Sequence, residues 1–195
     1  MTAFEYLTVL VSIIVGLGIA HLLSGLGSLL GGTKDVRSYW PHTLWMCNVA
    51  FWFVFFWWFQ FKWVTTPDWT FGLFLFVLGY AILIYLIAIV LLPPDVPDSF
   101  DFHAHYFGRR HVFFSGLVLL YVVDVIDAFT KGLENVRDLG VPWAVLEALL
   151  IIGAVAAIRT SSDAYHKVHA VVWPVLMITW ILYSMGAVSA LFFLD

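Results

Sequence analysis

Charge is scarce in this chain of 195 residues: 11% of them are Asp, Glu, Lys or Arg, where a soluble domain carries about a quarter. The nine Lys and Arg form no stripe and the formal net charge is -4, so nucleic acid is excluded as a partner class. A single cysteine, Cys47, excludes an intramolecular disulfide and a thiolate metal framework. Met1-Thr2-Ala3-Phe4-Glu5-Tyr6 carries an acid and no base, so the first apolar run reads as a retained helix rather than a secretory signal. Neither Thr2 nor the ending Phe193-Leu194-Asp195 fits a lipidation motif. A nucleophile beside a base, a phosphate loop and a complete metal motif are all missing. The balance therefore lies with transport or binding rather than catalysis.

Apolar residues are what the chain has in excess, at 63%. So short a chain cannot hide that much apolar surface in a soluble core, and lipid must be its solvent. A spanning helix needs about 20 mostly apolar residues. Six segments meet that length: 4–30, 42–64, 70–92, 111–131, 141–160 and 168–194. Between them lie Gly31-Gly32-Thr33-Lys34-Asp35, Thr65-Thr66-Pro67-Asp68 and Pro93-Pro94-Asp95, which are turn chemistry. The runs are too long and too evenly apolar for barrel strands. The expected fold is all-α, one transmembrane domain over 1–195 with about six spanning helices, and a longest loop from Pro93 to Arg110.

Connections one, three and five hold Lys34, Arg37, Arg109, Arg110, Arg159 and Lys167, against Lys62, Lys131 and Arg137 on the other side. The excess of cations places the odd loops in the cytoplasm and both termini outside. Arg109-Arg110 suits anionic lipid headgroups. No convincing internal repeat relates residues 1–95 to 105–195.

On the first span Ser12, Gly16, Ala20, Ser24 and Ser28 recur every four residues and form a stripe without bulk. Such a stripe lets another helix approach closely, inside the monomer or in a homo-oligomer. His21 stands beside it, either as a hydrogen-bonding group or as a proton-relay or haem ligand. Phe4-Glu5-Tyr6, Ser12-Ile13-Ile14, Gly16-Leu17-Gly18-Ile19, Leu22-Leu23 and Gly25, followed by Tyr39-Trp40-Pro41-His42, resemble the opening of small uncharacterised bacterial polytopic membrane proteins. The resemblance covers mainly the first quarter of the chain. It implies a bacterial inner membrane and carries no activity with it.

Because spans alternate in direction, polar residues sort by depth. His21, Cys47 and Asn48 fall in the half of the membrane near the odd loops, with Asn48 the expected partner of His21. Glu5, Asp124, Asp127 and Glu147 fall in the other half. Asp124 and Asp127 are one helical turn apart with Tyr121 on the same face, and Lys131 follows Asp127 in a favourable order. These acids form either structural glue with Lys131 and Lys62 or a proton or cation site. Six histidines gather near the odd loops: His42, His103, His105, His111, His166 and His169. His103-x-His105 and His166-x-x-His169 are spacings that can share a metal. Span two is dense in aromatics from Phe51 to Trp63, either as packing or as a slot for a flat apolar molecule. Trp40, Trp45, Trp69, Trp143 and Trp173 read as interface belts.

The leading expectation is a small proton or cation transporter or channel using Asp124, Asp127, Glu147, Glu5 and His21. The alternatives are a histidine-based metal or haem redox protein using His103, His105, His111, His166 and His169, and a non-catalytic oligomeric scaffold. Membrane lipids are the expected surroundings, and a metal or haem stays open as a cofactor.

Overall fold

Six long helices carry the chain back and forth. They are α1 (Ala3–Leu30), α2 (Trp40–Phe59, continued by a 3-10 turn Gln60–Trp63), α3 (Phe71–Leu91), α4 (Phe102–Thr130), α5 (Leu133–Arg159) and α6 (Asp163–Phe192). The computed structural model describes residues 2–31, 35–64, 68–97 and 99–192, without the side chains of 30, 35 and 185–192. The turn residues Gly32-Thr33-Lys34 and Thr65-Thr66-Pro67, and the end of the sixth span, lie outside the described residues. All six helices are long and apolar enough to cross a bilayer. The protein is an all-α, multi-pass integral membrane bundle.

Side-chain caps set several of the helix starts. Thr2 and Glu5 form a capping box at α1, each side chain meeting the other's backbone N–H. Thr70 caps α3, and Pro41 sits in the first turn of α2, where its missing N–H costs nothing. Asp101 accepts from the Ala104 amide and so starts α4 at Phe102, nine residues before the 111 read from hydropathy. The expected long loop thereby shortens to Leu92–Asp101, because Phe102–Arg110 is helical. The sixth helix likewise begins earlier, at Asp163 rather than 168.

Two short strands escaped the sequence reading. β1 (Asp35–Arg37) and β2 (Ser99–Asp101) pair in parallel, with Val36 opposite Phe100. Arg37 Nη1 donates to Asp101 Oδ2 at 3.2 Å across them. The Ala104 amide and Arg37 hold the Asp101 carboxyl below its usual value. Its cap is therefore intact above the ordinary carboxylate range and fades as pH falls through the lowered value. Tyr39 OH donates to Asp163 Oδ1 at 2.7 Å, so the first, third and fifth connections form one face. Burial and the Asp163 carboxylate raise the Tyr39 phenol above its usual value.

Inside the bundle, α2 packs on α1, α3, α4 and α6. Its inward positions Trp45, Met46, Val49, Trp52, Phe53 and Phe56 follow helical spacing and are buried. That central place accounts for its aromatic density. Trp45 and Trp173, read as interface residues, are buried core. In α5, Gly140 has φ 70° and breaks the helix. Few side chains tolerate that region, and a second helical segment starts at Val141. In α6, Pro174 has no N–H to give to Ala170 O four residues back. Asn48 Nδ2 supplies the missing donor at 3.2 Å. Asn48 thus repairs α6 and does not meet His21, contrary to expectation.

The small-residue stripe of α1 also differs from its monomer-packing reading. Gly16, Ala20, Ser24 and Ser28 are exposed, Ser12 is half-buried, and a Cβ at Gly16 would meet nothing within 4 Å. The inward face carries Leu7, Val11, Val15, Gly18 and Leu22 instead. At Gly18 a Cβ would lie 2.1 Å from the ring of the fully buried Phe53, so only glycine lets α1 and α2 come this close. Gly18→Ala is expected to cost about 1–3 kcal/mol through overpacking, whereas Gly16→Leu should leave monomer stability unchanged. Thermal unfolding of the two variants in detergent distinguishes the faces, and equal losses would contradict this packing.

Candidate functional site

Toward the even-loop end of the bundle, α4 and α5 run side by side with the end of α2 and with α6. Asp124 and Asp127 of α4 and Glu147 of α5 line one cavity of about 40 Å³ there. Lys62, Lys131 and Asn135 stand toward its outer end, and Trp52, Phe55, Trp143 and Trp180 wall it. Asp124 lies seven residues up α4 from Lys131, about 10 Å deeper at 1.5 Å per residue.

The three acids are held differently. Asp127 is buried and paired with Lys131 Nζ at 2.5 Å, and Trp63 Nε1 donates to its other oxygen at 3.2 Å. Lys131 also reaches Phe59 O at 3.4 Å, tying α4 to α2. Asp127 is therefore the neutralised, structural acid. Lys62 does not share in it: its Nζ donates to Asn135 Oδ1 at 2.8 Å, while Asn135 Nδ2 caps Ala128 O at the end of α4. Asp124 takes a short hydrogen bond from Tyr80 OH of α3, 2.6 Å, and lies beside Glu147. Glu147 is 5% exposed; its buried Oε2 meets no N–H or hydroxyl donor, and the Asp124 carboxyl stands within hydrogen-bonding reach of Glu147.

Trp52 and Trp180, which line the cavity, also have buried indole N–H groups without a partner. Two donors and one acceptor, unsatisfied in the protein, thus belong to residues around a single small cavity. A buried water makes about three hydrogen bonds and needs roughly this much room. One turn beyond Asp124, the buried Tyr121 hydroxyl accepts from Trp173 Nε1 at 2.8 Å. Phe114, Leu117 and Leu120 continue the α4 interior as apolar packing. Tyr80 and Trp180 were not singled out from sequence, and Trp52 only as one of the span-two aromatics. Tyr80 had one signal, a hydroxyl midway along a very apolar span and far from either interface.

Glu5 is a correction. It is exposed, caps α1 and does not line the cavity. His21 lies in the other half of the membrane, as read, and its Nε2 donates to Leu92 O at 2.7 Å. His42 Nε2 donates to Leu91 O at 2.8 Å, and His105 Nε2 to Leu91 O at 3.1 Å and Val90 O at 3.3 Å. A carbonyl only accepts, so each Nε2 carries the proton. Pro93 and Pro94 cannot continue the α3 ladder, leaving its last carbonyls without backbone donors. Three histidines from α1, α2 and α4 therefore cap the end of α3.

The metal reading meets the same obstacle. Among the described residues no three His, Cys, Asp or Glu side chains converge into a group that holds a metal. His103 and His105 are two apart on the first turn of α4, where such neighbours diverge. His103 packs on Tyr39 and Phe107, and His111 is exposed. His166 is committed at both nitrogens: Nε2 to Thr160 O at 3.1 Å, and Nδ1 to Tyr106 OH at 3.0 Å. His169, one turn on, is buried without a partner at Nδ1.

Compared with known proteins, the chain matches no family model, and no curated protein or solved structure matches it significantly.

Breaking the ion pair gives a sharp readout. Lys131→Met leaves Asp127 buried and unpaired, an expected loss of about 3–5 kcal/mol. The double variant Asp127→Leu with Lys131→Met should recover most of it. Unfolding in mixed detergent micelles measures both, and a double variant as unstable as the single would show that the pair itself is stabilising.

Proposed function

We propose that the protein is a small proton carrier of a bacterial inner membrane, with the Asp124–Glu147 pair as its proton-binding station. The observation that carries this reading is the unpartnered Glu147 Oε2 beside Asp124, in a cavity whose wall residues Trp52 and Trp180 also hold unpartnered N–H groups. Two neighbouring carboxylates in a poorly solvated site cannot both be charged without a proton or a cation between them. The indole groups favour the proton. They are donors only, so they repel a bare metal ion but suit a water that accepts from them and donates to Glu147.

A carrier fits better than an open channel. Beyond Asp124 the Tyr121–Trp173 hydrogen bond and the packed α4 interior close the path toward the odd loops. Passage requires that pair to part. The exposed stripe of Gly16, Ala20, Ser24 and Ser28 supports self-association through α1. The odd loops belong in the cytoplasm, by the cation bias.

Proteoliposomes holding a pH-reporting dye, with a valinomycin-driven potassium potential, test the activity. Wild-type protein should pass protons above the protein-free leak. Asp124→Asn and Glu147→Gln should reduce flux to that leak while retaining the wild-type melting temperature. Flux unchanged in the double variant, or never above background, removes the proposal.

Orientation has its own measurement. With Cys47→Ala as background, Asp95→Cys in the third connection should react with an impermeant maleimide only after the cytoplasmic side is exposed. Labelling in intact cells reverses the assignment.

A further inference from the structure

Between α5 and α6, on the lipid-facing side, Leu149, Leu150, Val168, Val172 and Leu176 line a slot of about 250 Å³. His169 stands in its wall, only 8% exposed; its Nδ1 is enclosed by the protein without a hydrogen-bond partner, so the nitrogen at the slot is Nε2. Its ring is fixed among aromatics, 5.3 Å from Trp45, 5.5 Å from Phe114 and 5.6 Å from Tyr165. The Nε2 edge lies against Gly153, where a Cβ would come within 2.9 Å. Glycine there leaves room for the ring at the slot. Tyr165, the other polar wall residue, is already engaged through its hydroxyl with Gly153 O at 2.7 Å. A histidine without hydrogen bonds is costly in a bilayer, and most buried polar groups have a partner.

We propose that this slot docks the head group of a lipid-soluble quinone, with His169 Nε2 donating a hydrogen bond to one of its carbonyls. His169 is six residues into α6, about 9 Å along the helix from Asp163 at the odd-loop face. Phospholipid ester carbonyls stay at the interface, and acyl tails offer no polar atom at that depth. The occupant must therefore be apolar enough to enter from the hydrocarbon and still bring an acceptor or donor to an imidazole. A substituted quinone ring does both, and its flat face suits the rings of Tyr165 and Trp173 that line the slot. This is a binding assignment, independent of the acid cavity, and includes no electron transfer.

Calorimetric titration of the full-length protein in detergent with decylubiquinone, blanked against empty micelles, tests it. The expected result is saturable binding, weakened about tenfold or more by His169→Leu and largely kept by His169→Gln, which retains a hydrogen-bonding group. Val172→Trp fills the slot from its exposed side without touching the core and should abolish binding. Absence of saturable binding, or equal affinity in His169→Leu, overturns the proposal. So does binding retained in Val172→Trp. Displacement of the quinone by hexadecane at equal strength would also overturn it, by showing an acyl-chain slot.

Discussion

A backbone carbonyl or amide that loses its helical partner in lipid has no water to turn to. That constraint accounts for most of the polar side chains in this bundle. Pro174 frees Ala170 O, and Asn48 answers it from α2. Pro93 and Pro94 end α3, and His21, His42 and His105 converge on the carbonyls left there. Asn135 turns back to Ala128 O at the end of α4. On the outer faces, Ser12, Ser28, Thr130 and Thr179 turn their hydroxyls onto their own helices. Each repair also joins two helices or quiets a hydroxyl facing lipid, so satisfaction of the backbone and assembly of the bundle are largely the same act.

Polar groups that repair nothing are few, and they are the informative ones. Asp127 has Lys131 and Trp63, and its charge is spent on holding α4 to the end of α2. Asp124 and Glu147 have between them one hydroxyl donor, from Tyr80. A structural acid in hydrocarbon is expected to come with its cation, because an unpaired one costs several kcal/mol. The same chain thus shows both arrangements one helical turn apart. Geometry rather than residue type separates glue from candidate site.

Much of this architecture was legible in the sequence, and what was missed has physical reasons. Hydropathy found the six spans because length and apolarity are all a crossing requires. It misplaced the start of α4, since Phe102–Arg110 is helical but polar, and the Asp101 cap rather than hydropathy decides the boundary. Depth sorting placed Asp124, Asp127 and Glu147 at one level and kept His21 apart from them. It could not give the azimuth of a residue, and there it failed: Asn48 shares the depth of His21 but faces α6, and the α1 stripe faces away from the monomer. A spacing of four marks one face of a helix without saying what lies opposite. The sequence likewise gathered the histidines at one end without revealing that His42, His105 and His166 meet backbone carbonyls.

The aromatic run of α2 then acquires a double purpose. At one end Trp45 packs on His169, and further along Trp52, Phe55 and Phe59 wall the acid cavity. Trp52 also lies edge-on to Tyr121 and tilted against Trp173, 5.6 and 5.9 Å between ring centroids, bracing the hydrogen bond that divides the two halves of the bundle. Bulky rings exclude water, and in a dry, weakly polarisable interior every remaining electrostatic interaction is stronger. A charge on Asp124 or Glu147 therefore acts on few neighbours but acts on them strongly: Tyr80, each other, and through Asp127 the fixed charge of Lys131. In the proposed carrier, a proton gained or lost at that pair would be felt first by these neighbours. The Tyr121–Trp173 hydrogen bond lies one turn away on the same helix, so in that proposal it is the contact nearest the change.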